Sequence, residues 1–200
     1  MAVVSKGFAG RRAPGARQLP PGQYLAHDFP VLSAGPTPAV DRRAWEFSIV
    51  TETGQRHHWD FASLLELGPE RFDIDLHCVT GWSKLGTRWS GVPVDALMRE
   101  VGSTAARHVL AHSYGGYTTN VPLGDLLNGQ AWLVHEYDGA PLTPEHGGPV
   151  RLLIPHLYLW KSAKWIRQLD LSLTSESGFW ERLGYHAYGD PWKEQRYWSD

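Results

Sequence analysis

Apolar and polar positions alternate in "AWEFSIVT" (44–51), which predicts a half-buried strand. A Thr-Gly turn at 53–54 leads into a second short strand, "QRHHW". Asp60 is placed to cap a helix running through Leu67, with Phe61, Leu64 and Leu65 on one side. "RFDIDLHCV" alternates strongly and sets Phe72, Ile74, Leu76 and Cys78 on one strand face. Pro93 opens a helix that turns Val94, Leu97, Met98 and Val101 inward. "RHVLAHSY" and "YTTNVPL" read as paired strands around Gly115-Gly116, followed by a short helix from Leu123 to Asn128. "QAWLVHEYDG" is a further strand. "VRLLIP" (150–155) is apolar almost throughout, which predicts a central strand. "WIRQLDLSLT" (165–174) alternates again, and 178–184 holds one helical turn.

These elements interleave without regular βαβ spacing, so the pattern predicts an α+β fold with mixed or antiparallel sheets. Residues 1–23, rich in Gly, Pro and Arg, read as a flexible N-terminal arm, and 24–200 as one domain. "HDFPVLSAGPTPAV" (27–40) carries three prolines and reads as an extended segment lying on that domain. A formal net charge of -2 argues against a nucleic-acid surface. No apolar run approaches the ~18 residues of a membrane span. The first residues lack the apolar stretch of an export signal, so a cytoplasmic protein is expected. Ten tryptophans fit either a loop-rich fold filled by large rings or a deep aromatic-walled pocket.

The single cysteine, Cys78, excludes an internal disulfide framework and a four-cysteine zinc site. It falls where a strand gives way to "VTGWS", and strand ends that open into glycine turns are where side chains reach ligands. Three readings stand on the residues alone. A lone cysteine can be a buried small hydrophobe. It can be a nucleophile with a histidine base, although adjacent His77 would point to the opposite strand face. It can also be a thiolate holding a soft or high-valent metal, whose remaining ligands would have to come from a cofactor. A second cluster lies in "EHGGPVRLLIPHLYLWKSAKWIRQLDL" (145–171). His146 and Arg151 flank a glycine turn, and Lys161, Ser162 and Lys164 follow one apolar strand later. Such donors beside glycine-rich amides suit a phosphate or another anion; a set of solvated surface charges is the other reading.

"DFPVLS" (28–33), "HCVTGWS" (77–83), "HGGPVRLLIP" (146–155) and "KSAKWI" (161–166) together resemble the sulfite oxidase/protein-methionine-sulfoxide reductase family of molybdopterin enzymes. The resemblance spans roughly residues 20 to 185 and is closest to short bacterial sulfite oxidase-like oxidoreductases. It implies a mixed-sheet α+β molybdopterin-binding domain and a molybdenum-molybdopterin cofactor. It also implies that Cys78 is the protein's ligand to the metal. His146 and Arg151 match pterin contacts. Ser162, Ala163 and Lys164 match the segment that holds the far end of the cofactor with its phosphate. Ser113 matches a further pterin contact, and His27 and Asp28 lie in the segment that crosses the cofactor. Tyr185 falls near the family's active-site tyrosine.

The implied reaction is oxygen-atom transfer to or from a small substrate. Electrons would be exchanged with a separate flavin or iron-sulfur partner, since the chain shows no haem motif and no cluster of cysteines. The chain departs from sulfite oxidases where they carry substrate arginines: the comparable places hold Ala26 and Ser83. Trp82-Ser83 instead resembles the methionine-sulfoxide reductase branch, which raises S-oxide or N-oxide reduction as the alternative. A cofactor-free binding or scaffold domain is the alternative from another class.

Overall fold

The computed structural model describes residues 18–200, and two β-sheets frame the described part. The first joins β1 (Tyr24–Leu25), β4 (Glu70–His77), β5 (Trp82–Pro93), β8 (Trp132–Tyr137), β9 (Ala140–Pro141) and β10 (Arg151–Leu153). The second runs in the order β3 (Arg56–Asp60), β2 (Glu46–Val50), β11 (Ile166–Ser172), β6 (His108–Ser113) and β7 (Thr118–Pro122). Because β11 runs parallel to β2 and antiparallel to β6, the second sheet is mixed. The architecture is α+β, as the patterning predicts.

Local chemistry accounts for most boundaries. The Asp60 side chain accepts from Ser63 N at 2.8 Å and starts α1 (Phe61–Glu66). Pro93, with no amide hydrogen to leave unpaired, precedes α2 (Val94–Val101), whose Val94, Leu97, Met98 and Val101 are buried. The predicted helix after Leu123 is a single 3-10 turn over Leu123–Leu126, and α3 spans Phe179–Arg182. The main core packs Trp45, Phe47, Leu64, Leu97, Leu152 and Ile166, drawn from both sheets and from the helices. A smaller cluster, with Leu76, Trp89, Val134 and Leu153, lies on the far side of the first sheet.

Two expectations need correction. "VRLLIP" is not a central strand: β10 is three residues long and ends the sheet path, paired only with β8. It is apolar because Leu152 joins one cluster and Leu153 the other, so both faces are buried. Its outer edge is closed by the following segment, where Leu152 N donates to Ala163 O at 2.9 Å and Ile166 N to Val150 O at 3.1 Å. Apart from the two-residue strands β1 and β9, β5 is the strand that the patterning does not predict. It is the longest described strand and pairs with β1, β4 and β8. Its glycines, Ser and Lys break the apolar alternation, and pairing on both sides supplies what propensity does not.

Candidate active site

β4 ends at His77, and Cys78 opens the turn into β5. Cys78 N donates to Trp82 O at 2.8 Å, and Gly81 N donates to Cys78 O at 3.0 Å. The thiol packs with Ala26 and Trp82 and is 7% exposed. Thr80 Oγ1 lies 3.1 Å from Sγ. Burial pushes the thiol's pKa up; the Thr80 contacts, then the charges of Arg196 and Lys164, pull it back. Gln23 supports the turn from outside. Its Nε2 donates to Cys78 O at 3.1 Å, and its Oε1 accepts from Ser83 Oγ at 3.2 Å. Ser83 Oγ lies 2.8 Å from His77 Nδ1, so His77 faces this network and not the thiol's side. Residues 18–23, the described end of the segment read as an arm, therefore reach the loop that carries the cysteine.

The opposite wall is basic. Gly147 has φ +105°, and a Cβ there would meet the Cβ atoms of Arg151 and Lys164 at 3.0 Å each. Only glycine lets the turn press onto both stems. Arg151 is 2% exposed; Nη1 donates to His146 O at 3.0 Å and Nη2 to Ser162 O at 2.8 Å. Its Nε is buried without a partner. Burial brings the guanidinium down to about 10. Lys164 Nζ donates to Leu32 O at 2.7 Å and Glu145 O at 2.6 Å. Burial first, and then the Arg151 charge, bring it down to about 8. The His146 ring stacks on Phe29 at 4.1 Å, and its Nδ1 is buried without a partner. Burial, with the nearby Arg151 and Lys164 charges, lowers its pKa. Among the described residues no carboxylate forms an ion pair with Arg151 or Lys164.

Thiol and basic wall face one cavity of about 330 Å³. Trp82, Trp160, Trp165 and Trp180 contribute to its walls, and Tyr117 and Tyr185 join them. Tyr117 OH donates to Trp160 O at 2.5 Å, and burial raises its pKa well above the usual phenol value. Tyr185 packs on Trp180 at 4.9 Å and on Trp160 at 5.3 Å. Trp165 sits at φ +50°, a left-handed conformation that bulky residues rarely adopt, and its Nε1 is held by Pro144 O at 2.7 Å. Both readings of the tryptophan content hold: Trp45 and Trp59 fill the core, while the four named above wall the cavity.

Six of the residues singled out in the sequence line this one space: Cys78, His146, Arg151, Ser162, Lys164 and Tyr185. Four others lie outside its lining. His27 and Asp28 are exposed, with His27 O accepting from Lys84 Nζ at 2.8 Å. Ser113 ends β6, with a buried Oγ that has no partner. Ala163 packs into the main core. Lys161 does not belong to the anion-binding group in which the spacing placed it. It is fully buried, and Nζ donates to Glu181 Oε1 at 2.6 Å, Asn120 Oδ1 at 2.8 Å and Ala187 O at 2.6 Å. The sequence reading missed Thr80, Tyr117, Trp160, Trp165 and Trp180. The tryptophans flanking the two lysines in "WKSAKW" were the one available signal.

The donor set suits an anionic ligand that also takes a thiolate. Two cations answered only by carbonyls leave positive charge in the cavity wall, and Arg151 Nε and His146 Nδ1 remain to be bonded. A pterin with a phosphate and a thiolate-bound metal meets both needs.

Comparison with known proteins agrees. Residues 34–180 match the oxidoreductase molybdopterin binding domain. The uncharacterized oxidoreductase YuiH of Bacillus subtilis (strain 168) is 39% identical over 189 residues, 94% of this chain and 96% of YuiH. The protein-methionine-sulfoxide reductase catalytic subunit MsrP of Pseudomonas syringae pv. tomato is 28% identical over 181 residues, 80% of this chain and 52% of MsrP. The crystal structure of the sulfane dehydrogenase SoxCD from Paracoccus pantotrophus superposes with a TM-score of 0.63 at 17% identity. That superposition covers 74% of this chain and 42% of the SoxCD chain, and it speaks to the fold. The chain thus spans about half the length of the last two proteins. With the mixed-sheet frame, the thiol-and-cation cavity and these matches together, the chain belongs to the molybdopterin-binding oxidoreductase family and is a molybdenum-molybdopterin-dependent oxidoreductase.

Proposed function

We propose that this chain catalyses oxygen-atom transfer to or from a small substrate bound between Cys78 and the aromatic walls, exchanging electrons with a separate redox protein. The observation that carries the reading is one cavity holding the chain's only thiol opposite two cations that no described carboxylate neutralises. Cys78 would bind the metal. Arg151, Lys164, Ser162 and His146 would hold the pterin and its phosphate. When bound, the cofactor supplies two-electron redox chemistry at the metal. The chain's own residues do the rest. The Trp82, Trp160 and Trp180 walls exclude water and orient an apolar substrate group. Tyr185, whose pKa is raised by burial and then by Tyr197, keeps its proton at neutral pH and is placed to donate a hydrogen bond into the cavity. Support for an external electron partner comes from the single cysteine, which leaves no set of thiolates for an iron-sulfur cluster.

One observation favours S-oxide or N-oxide reduction over sulfite oxidation. Ala26 and Ser83 stand where the resemblance expects guanidinium groups. Ser83 is fully buried and bonded to His77, so neither offers a cation to a dianion. MsrP, a methionine-sulfoxide reductase by name, is among the relatives. Steady-state assays of metal-loaded protein, with sulfite and an artificial acceptor on one side and a sulfoxide and N-oxide panel with a reduced viologen donor on the other, test the direction. Cys78→Ser is expected to abolish turnover in the active direction and to lower molybdenum content measured by elemental analysis. Wild-type molybdenum and wild-type turnover in that variant would remove Cys78 from the metal site.

A further inference from the structure

Arg196 lies 118 residues beyond Cys78, in an aromatic tail to which the sequence assigns no role, yet it reaches the loop that carries the thiol. Its Nη1 donates to Val79 O. The guanidinium carbon lies over the Tyr158 ring at 5.2 Å, and Nη2 is 4.0 Å from Glu194 Oε1. The tail is folded to hold it there. Tyr185 and Tyr197 form an antiparallel bridge, His186 N donates to Arg196 O at 3.1 Å, and Trp198 N donates to Gly184 O at 3.0 Å. Asp200 Oδ2 accepts from Arg196 N at 2.8 Å and Tyr197 N at 2.6 Å. The N-terminal segment closes on the same group: at Gly22, φ +67°, a Cβ would meet Glu194 Oε1 at 2.9 Å and Arg196 Nη2 at 3.2 Å. The Cys78 turn is thus gripped from two distant parts of the chain, by Gln23 on Cys78 O and by Arg196 on Val79 O.

We infer that Arg196 is a positioning residue for the metal-binding sulfur: it fixes the Val79-Thr80 peptide in the turn that carries Cys78 and holds one positive charge at that turn. The inference rests on Cys78 being the protein's ligand to molybdenum. The same hairpin carries Tyr185 into the cavity, so one tail element aligns the aromatic wall and the thiol loop together. A fixed cation favours the reduced, more electron-rich metal, so removing it lowers the metal's midpoint potential. This charge is bonded to a carbonyl at the loop, and its reach is local.

The test is a redox titration of the metal's one-electron-reduced EPR signal in loaded wild type, Arg196→Gln, Arg196→Lys and Lys193→Ala. Arg196→Gln should load molybdenum, and at a fixed potential its ratio of reduced to oxidised metal should fall about tenfold, equal to about 59 mV for one electron. Arg196→Lys should recover most of that shift. Lys193→Ala, an exposed tail cation, should match wild type. Arg196→Gln removes the charge and keeps a polar side chain. Should it still fail to load metal, the potential is read in Arg196→Met, which likewise removes the charge, and a midpoint below wild type there supports the inference. A wild-type potential and signal in the loaded variant under test would overturn it, leaving Arg196 as a tie for the tail alone. Cys78→Ser is titrated in parallel. A wild-type signal there sinks the metal-ligand reading, whereas an altered signal there beside an unchanged Arg196 variant sinks only this inference.

Discussion

Lys161 and Lys164 are three residues apart and are used in opposite ways. Around Lys161 the chain answers the charge from within: Glu181, Asn120 and Ala187 surround the ammonium, which no solvent reaches. Glu181 Oε1 also takes Trp160 Nε1 at 3.0 Å and Thr119 Oγ1 at 3.0 Å, so the pair ties α3 to β7 behind the cavity wall. Around Lys164 and Arg151 only carbonyls answer; burial lowers the pKa of all three cations, and Glu181 Oε2 is unbonded as Arg151 Nε is, so the missing carboxylate is what separates the two sites. A buried charge with a carboxylate partner belongs to the scaffold. A buried charge without one marks where a ligand supplies the missing charge.

The contrast can be broken most decisively at Lys161. Lys161→Met strands Glu181 as an uncompensated buried carboxylate and should cost about 3–5 kcal/mol of stability in denaturant melts of the cofactor-free protein. Adding Glu181→Gln should recover part of that loss. Lys164→Met should cost under about 1 kcal/mol in the same melts, since Lys164 has no buried counter-charge to strand. Its effect should appear in retention of the cofactor, about ten- to a hundredfold weaker, which matches one lost charged hydrogen bond. Equal melting losses for the two variants would erase the distinction.

The smallest effect is one of pH. On the proposed reading the Lys164 ammonium would meet an anion, and a bound anion would raise its pKa above the depressed value of about 8. Affinity of the cofactor-free protein for inorganic pyrophosphate should therefore be full below pH ~8 and fall as pH rises through and above it. Calorimetric titrations between pH 6.5 and 9.5 read this directly. In Lys164→Met the fall beginning near pH ~8 should be lost, leaving only the dependence set by pyrophosphate's own protonation and by Arg151.

Much of the frame was legible in the sequence, for reasons visible in particular strands. β3, β6 and β11 bury alternate side chains, and a period of two is a local property, whereas β2 and β7 each bury three residues in a row. β4 alternates through Leu76, but the ladder shifts register between Ile74 and Leu76, and Cys78 falls beyond the strand's end in a different cluster. Leu76 stays in the cluster of Phe72 and Ile74, so it is the turn after His77 that takes the cysteine off the apolar face, and the alternation does not record where the strand stops. β5 was missed for the reverse reason: its hydrogen-bond partners lie on both sides, so pairing overrides a weak pattern. Among the site residues, Cys78, His146, Arg151, Ser162, Lys164 and Tyr185 line one cavity. His27, Asp28, Ser113 and Ala163 stand outside the cavity lining.

By itself the sequence determined the α+β class, the strands with regular alternation, the single thiol and the glycine-basic block, because each is written in neighbouring residues. Only the tertiary structure decided which lysine is spent on Glu181 and which faces the cavity, which tryptophans become walls, and that Arg196 returns to Val79. Those outcomes depend on burial and on partners 20 to 117 positions away, and no local pattern records where a distant carboxylate or carbonyl will come to rest.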